Sequence, residues 1–304
     1  MVARAAGTDV PILLLGETGT GKTLVARLIH ESSGRVGGPF VAINCAALPE
    51  SLFESELFGH RRGAFTGAHE DRAGLLETGH RGTVLLDEVG DLPAAQQAKL
   101  LTVLEEGEVR PVGARSAVAV DVRLVSATAS PLERRVREGT FRRDLFHRLA
   151  LVTLRLPPLR ERSEDLPGLA AHFLRKAARR HGLGTPRLDP PALALLVAHP
   201  WPGNVRELAH ALEAALILGG ADGLAPALES VLGREGSAPA IGPDATPQEA
   251  GAGSSRYSFY GSESDERARI RSALARCRGN RTRAARQLGM SRATLRERMR
   301  RYDL

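Results

Sequence analysis

"VPILLLGETGTGKTLVARLIHESS" (Val10–Ser33) decides the fold. "VPILLLG" (Val10–Gly16) is a continuous apolar run and reads as a buried strand. "TLVARLIHESS" after it has helical spacing. Between them, "GETGTGKT" (Gly16–Thr23) fits the pattern G-x-x-x-x-G-K-[ST] in the strand–loop–helix setting that the pattern requires. Gly16, Gly19 and Gly21 let backbone N–H groups turn inward, and Glu17, Thr18 and Thr20 complete a cradle for phosphate oxygens at a helix N-terminus. Lys22 is placed to reach β- and γ-phosphates, and Thr23 to ligate Mg²⁺. A glycine-rich turn with a fortuitous lysine is the plainer alternative.

Further buried strands follow at Phe40–Asn44, Gly82–Glu88 and Val122–Thr128, with helical stretches such as "PAAQQAKLLTVLEEG" between them. Such alternation implies a parallel sheet covered on both faces, an α/β fold. "VLLDE" (Val84–Glu88) ends on two acids: Asp87 is a candidate Mg²⁺ ligand, directly or through water, and Glu88 a candidate general base. A solvated acid pair capping the strand is the alternative. "LVTLRLPPL" closes this block at Pro157–Pro158.

From Ser163 to Leu232 the pattern is helical only, with glycine stops, and predicts a small all-α domain. Residues 233–262 are rich in Gly, Ala, Ser and Pro and read as a linker. The chain has 304 residues, 42% of them hydrophobic and 25% charged, ordinary for a globular protein. No apolar run approaches the ~20 residues that span a bilayer, and the N-terminus lacks a secretory pattern. Cys45 and Cys277 have neither zinc-finger nor disulfide-framework spacing, so a reducing, cytoplasmic setting is expected.

The formal net charge of +7 is concentrated in the tail: residues 265–304 hold thirteen arginines and no lysine against four acids. A basic segment on a nearly neutral body points to a polyanion partner. This tail divides into three helices. Ile270, Ala273, Leu274 and Cys277 form the first apolar stripe; Ala284, Ala285 and Leu288 face inward from the second; "GMS" makes the turn, with Ser291 as N-cap; Leu295 and Met299 face inward from the third. That order matches helix-turn-helix geometry, with the third helix in the major groove. Arg292, Ala293, Thr294 and Arg296 are the candidates for base edges; Arg298, Arg300 and Arg301 for phosphates. A solvated basic helix is the alternative.

"ELFGHRRGAFTGAHED" (Glu56–Asp71) fits none of this. Gly63, Phe65, Thr66 and Gly67 offer a nucleotide nothing. On residue chemistry they describe either a flexible apolar-tipped loop or a surface turn tucked onto the core.

"GETGTGKT", "ELFGH", "GAFTGA", "LLDEVGDLP", "FRRDLFHRL", "LPPLRER" and "WPGNVREL" occur in that order. Together they resemble the AAA+ domain of bacterial enhancer-binding proteins, the NtrC-like activators of sigma-54 RNA polymerase. The tail resembles their Fis-type helix-turn-helix. The resemblance implies an AAA+ core with the GAFTGA loop (1–157), an all-α lid (158–232), a flexible linker (233–263) and a three-helix DNA-binding domain (264–304). It implies an ATPase that assembles as a ring, typically a hexamer, on upstream DNA. Gly63, Ala64, Phe65, Thr66, Gly67 and Ala68 would form the loop tip that contacts sigma-54.

By the same resemblance, Asn44 would restrain the catalytic glutamate, Arg142 and Arg148 would be arginine fingers acting on a neighbouring subunit's nucleotide, and Arg206 would be the second sensor. A turn-capping amide, surface ion pairs and a simple helix start are the respective alternatives. Two departures stand out. The family's first sensor reads Ala-Thr-Asn, but here Ala129 follows Thr128. Only fifteen residues precede Gly16, where relatives have a further helical segment enclosing the adenine. A truncated chain is therefore one expectation, and a DNA-binding regulator with impaired ATPase is the rival function.

Overall fold

The computed structural model describes residues 2–47, 49–184, 186–219 and 223–235, and beyond them Ile270, Arg271, Arg281, Leu295 and Met299. The chain divides into two compact units, Met1–Pro239 and Ala240–Leu304.

In the first unit a short helix, α1 (Val2–Ala6), precedes β1 (Ile12–Leu15) and α2 (Lys22–Glu31). The apolar pattern gave no sign of α1, which has a single turn and little sequence over which periodicity could show. Its C-terminal carbonyls are capped from inside the core: the fully buried Arg123 donates to Ala6 O at 2.8 Å and Ala5 O at 2.6 Å. Next come β2 (Phe40–Asn44), α3 (Glu50–Phe58), the two-residue strands β3 (Gly59–His60) and β4 (Arg72–Ala73), and α4 (Leu75–Thr78). The block continues with β5 (Thr83–Asp87), α5 (Ala94–Glu106), β6 (Glu108–Val109), β7 (Val118–Ala119), β8 (Arg123–Thr128), α6 (Leu132–Arg137), α7 (Arg143–Leu149) and β9 (Val152–Arg155).

Five strands form one parallel sheet in the order β2-β5-β8-β1-β9. Side chains of β1, β5 and β8 are buried almost throughout, because helices cover both faces. One face packs Leu13, Val84, Leu86 and Leu124 with Phe53, Leu100 and Leu145; the other packs Ile12, Leu14, Leu85 and Val125 with Ala26 and Ile29. This is the alternation of side chains across a strand.

The lid is all-helical: α8 (Leu166–His181), α9 (Pro190–Ala198), α10 (Asn204–Gly219) and α11 (Leu224–Glu235). α8 ends on Gly182 in the left-handed conformation and α9 starts at the Asp189 side-chain cap. Their core holds Leu174, Leu196, Trp201, Leu208 and Leu212. α11 runs to Glu235, past the expected lid boundary at 232.

In the second unit Ile270, Leu295 and Met299 are helical and buried, in keeping with their expected inward positions. Ser291, Arg292, Ala293, Thr294, Arg296, Arg298, Arg300 and Arg301, and most of the expected linker, lie outside the described residues. Among the described residues no helix is long and apolar enough to cross a membrane.

Candidate nucleotide site and surface loop

The register of the sheet builds the site. Asp87 is level with Asn44 on one side and Ala127 on the other, so the residues just past these strand ends converge. The loop after β1 turns through Gly19 (φ +83°) and Gly21 (φ +100°), conformations in which a side chain is strained. Lys22 is almost wholly buried, with Nζ donating to Gly16 O (2.8 Å) and Glu17 O (3.3 Å) and lying 3.5 Å from Glu88 Oε1. Thr23 Oγ1 donates to Asp87 Oδ2 at 3.2 Å. A hydroxyl and a carboxylate side by side are the hard oxygen donors that Mg²⁺ takes, and so few protein ligands suit an ion that keeps its waters and phosphate oxygens. Among the described residues no larger cluster of His, Cys, Asp or Glu could hold a metal.

Glu88 has a left-handed backbone, φ +53° and ψ +48°, uncommon outside glycine. Its N–H donates to Asp87 Oδ1 at 3.1 Å, and its Oε2 accepts from the Ala129 N–H at 3.0 Å. The residue that lacks the family's amide thus engages Glu88 through its backbone. Asn44 does not: its Oδ1 accepts from the Ala46 N–H at 3.0 Å, the turn cap that the residue chemistry allowed.

Lys22, Thr23, Asp87 and Glu88 face Phe173, Val205 and Arg206 of the lid across a cleft of about 330 Å³, which Thr18, Gly19 and Gly21 also line. Gly16, Glu17 and Thr20 do not line it. Thr20 Oγ1 donates within the loop to Glu17 O. The Glu17 carboxylate turns to the lid, where it accepts from Arg160 at 2.6 and 2.9 Å and from Asn204 Nδ2 at 3.1 Å. Arg160 first, and Asn204 next, hold its carboxyl down at about 2. Sequence reasoning missed Arg160 and Asn204. The signal lay in "LPPLRER" and "WPGN", but an asparagine before a helix reads as an ordinary cap.

Arg142 and Arg148 are exposed and do not line the cleft of their own chain. Arg142 forms a fork with Asp144 (2.7 and 3.1 Å), and Arg148 donates to Leu104 O (3.0 Å).

β3 and β4 form the base of the loop that carries GAFTGA. Asp71 accepts from Arg61 Nη1 (2.9 Å) and from the Arg62 N–H (2.8 Å). Above this base, Gly63 N–H donates to Ala68 O at 2.9 Å and closes the tip; Ala68 N–H returns to Phe65 O at 3.0 Å. Gly63 (φ +80°) and Gly67 (φ +100°) are exposed, as is Thr66. Phe65 remains 41% exposed, its ring edge-on to His60 at 4.9 Å, while Ala68 is buried. The tip therefore stands at the surface. A second loop between β6 and β7, unforeseen in the sequence, flanks it: Arg61 N–H donates to Val112 O (3.0 Å) and Val112 N–H to Gly59 O (2.9 Å).

Comparison with known proteins places the chain in a family. Residues 1–155 match the sigma-54 interaction domain, 160–228 the AAA+ ATPase lid domain, and 263–302 the bacterial regulatory protein, Fis family. The hydrogenase transcriptional regulatory protein HoxA of Cupriavidus necator is 46% identical over 100% of this chain and 63% of its own length. The DNA-binding transcriptional regulator NtrC of Azospirillum brasilense is 43% identical over 100% of this chain and 67% of its own. The crystal structure of NtrX from Brucella abortus in complex with ATP superposes with a TM-score of 0.70 at 35% identity, covering 100% of this chain and 66% of NtrX. The chain thus spans about two thirds of the length of these relatives. With a sigma-54 interaction domain, an AAA+ lid and a Fis-type segment in that order, this chain belongs to the sigma-54-dependent, NtrC-type family of DNA-binding transcriptional activators.

Proposed function

We propose that this chain hydrolyses ATP and uses the energy to remodel the closed complex of sigma-54 RNA polymerase, while bound to upstream DNA through residues 264–304. The observation that carries the reading is the convergence of Lys22, Thr23, Asp87 and Glu88 with the lid's Arg206 in one cleft. Phosphates lie against the N–H groups of the 16–21 loop and the Lys22 ammonium. Thr23 and Asp87 would hold Mg²⁺, which would supply positive charge to offset that of the phosphates. The Glu88 carboxylate takes the proton of the attacking water. Arg206 adds positive charge from the lid side.

Arg142 and Arg148 act on the nucleotide of a neighbouring subunit, in a ring that is hexameric by family resemblance. Their exposure and their absence from the lining of their own cleft support that reading. Gly63–Ala68 form the contact with sigma-54, and Asn44 restrains Glu88 only after releasing its turn. The division into core (1–157), lid (158–232), linker (233–263) and DNA-binding domain (264–304), base and phosphate contacts from residues 291–301, and a cytoplasmic setting complete the proposal.

The test uses the purified full chain. Glu88→Gln is expected to abolish ATP turnover; Thr66→Ala to retain turnover and lose sigma-54-dependent transcription. Wild-type protein without Glu88-dependent turnover would favour the rival, a DNA-binding regulator whose ATPase is inactive. Transcription that survives Thr66→Ala would remove the loop assignment.

A further inference from the structure

Four residues of the lid, in two segments, grip the phosphate loop without using the nucleotide. Asn204, the first residue of α10, has no exposed surface and a left-handed backbone (φ +54°). Its Oδ1 accepts from the Leu159 N–H at 2.7 Å, and its Nδ2 donates to Glu17 Oε2 and Thr18 O, each at 3.1 Å. The next residue, Val205, donates its N–H to Gly19 O at 3.0 Å. Arg162 Nη2 donates to Thr20 O at 3.0 Å, and Arg160 forks onto Glu17. The approach is so close that a Cβ on Gly19 would collide with the Gly203 carbonyl oxygen.

The exposed Arg160–Glu17 pair alone is worth little, because water screens it. Asn204 is different. It is buried, its acceptor and both donor directions are used, and one donor meets a carboxylate, the stronger kind of hydrogen bond. It also lies two residues before Arg206, which lines the cleft.

We infer that Asn204, with Glu17 as its partner, is a positioning residue that locks the lid to the phosphate loop, so that nucleotide at the loop and the angle of the lid are one equilibrium. The inference rests on the nucleotide-hydrolysing reading above. Nucleotide that shifts residues 17–20 pulls α10, and with it Arg206, through this amide. A lid displaced by neighbours in turn reshapes the loop.

Asn204→Asp keeps the shape, removes the donor and sets a second carboxylate against Glu17. In the full chain the KM for ATP should rise about tenfold, the scale of losing bonds to a charged group, with kcat within about twofold. Trp201, the chain's single tryptophan, is buried three residues before Asn204 and reports the lid by its fluorescence. Saturating ATP should change wild-type emission and leave Asn204→Asp unchanged. Adding Glu17→Gln restores a bond with donor and acceptor exchanged, so the double variant should recover part of both KM and emission response, which a merely damaged fold would not. If circular dichroism shows Asn204→Asp unfolded, the surface variant Glu17→Ala replaces it, removing the carboxylate that the Asn204 amide meets, with about a threefold rise in KM and a reduced emission response expected. A folded Asn204→Asp, or in its place Glu17→Ala, with wild-type KM and wild-type emission response overturns the inference alone. A wild-type chain that neither binds nor hydrolyses ATP overturns the nucleotide reading and this inference with it.

Discussion

Replacing Gly63 by alanine separates backbone conformation from steric fit at the loop tip. Gly63 has φ +80°, yet a Cβ built there meets nothing within 4 Å. The new methyl group therefore costs only what the left-handed conformation costs, about 1–2 kcal/mol. Folded-state stability barely moves, because Gly63 is exposed and its closing bond to Ala68 O can open at the surface without disturbing the core. The observed tip conformation, however, becomes roughly five- to thirtyfold less populated, at ~1.4 kcal/mol per tenfold. Sigma-54-dependent transcription in vitro should fall by that factor while ATP turnover, measured on the same preparation, stays within about twofold. Gly63→Asn should recover most of the loss, since asparagine enters the left-handed region more readily. Full transcription by Gly63→Ala, or an asparagine variant no better than the alanine one, would refute the argument from φ.

Two further outcomes follow from the geometry. Glu17 has a depressed carboxyl, so its contribution to stability is complete above the unfolded value of 4.5 and is lost as pH falls towards about 2; chemical denaturation of wild type and Glu17→Gln should give curves that converge as pH drops below 4.5 and separate above it. Arg142→Ala and Glu88→Gln, each inactive alone, should regain ATP turnover when mixed, because one subunit then supplies the base and its neighbour the arginine; a mixture as inactive as its parts would place the arginine's action within its own chain.

The parts legible in the sequence are those with a period or a fixed spacing. β1, β5 and β8 could be read because continuous apolar runs have few other uses, and Lys22, Thr23, Asp87 and Glu88 meet as expected because strand ends in a parallel sheet lie level. Strands of two residues have no period, so the hairpins at 59–73 and 108–119 were invisible as structure. The orientation of Glu17 was misjudged because the motif fixes the loop's backbone and leaves this side chain free to find Arg160. Arg142 and Arg148 do not line the cleft of their own chain, and the spacing in "FRRDLFHRL" carries no sign of which surface they face.

The two loops above the sheet share almost no clearance. A Cβ on Gly113 would sit 2.9 Å from that of Ala64, and the backbone bonds between residues 59–61 and 112 fasten their stems together. Such neighbours behave as meshed gear teeth: a displacement of residues 63–68 would press on residues 110–114. A single methyl group added at position 113 would close the little clearance that is left.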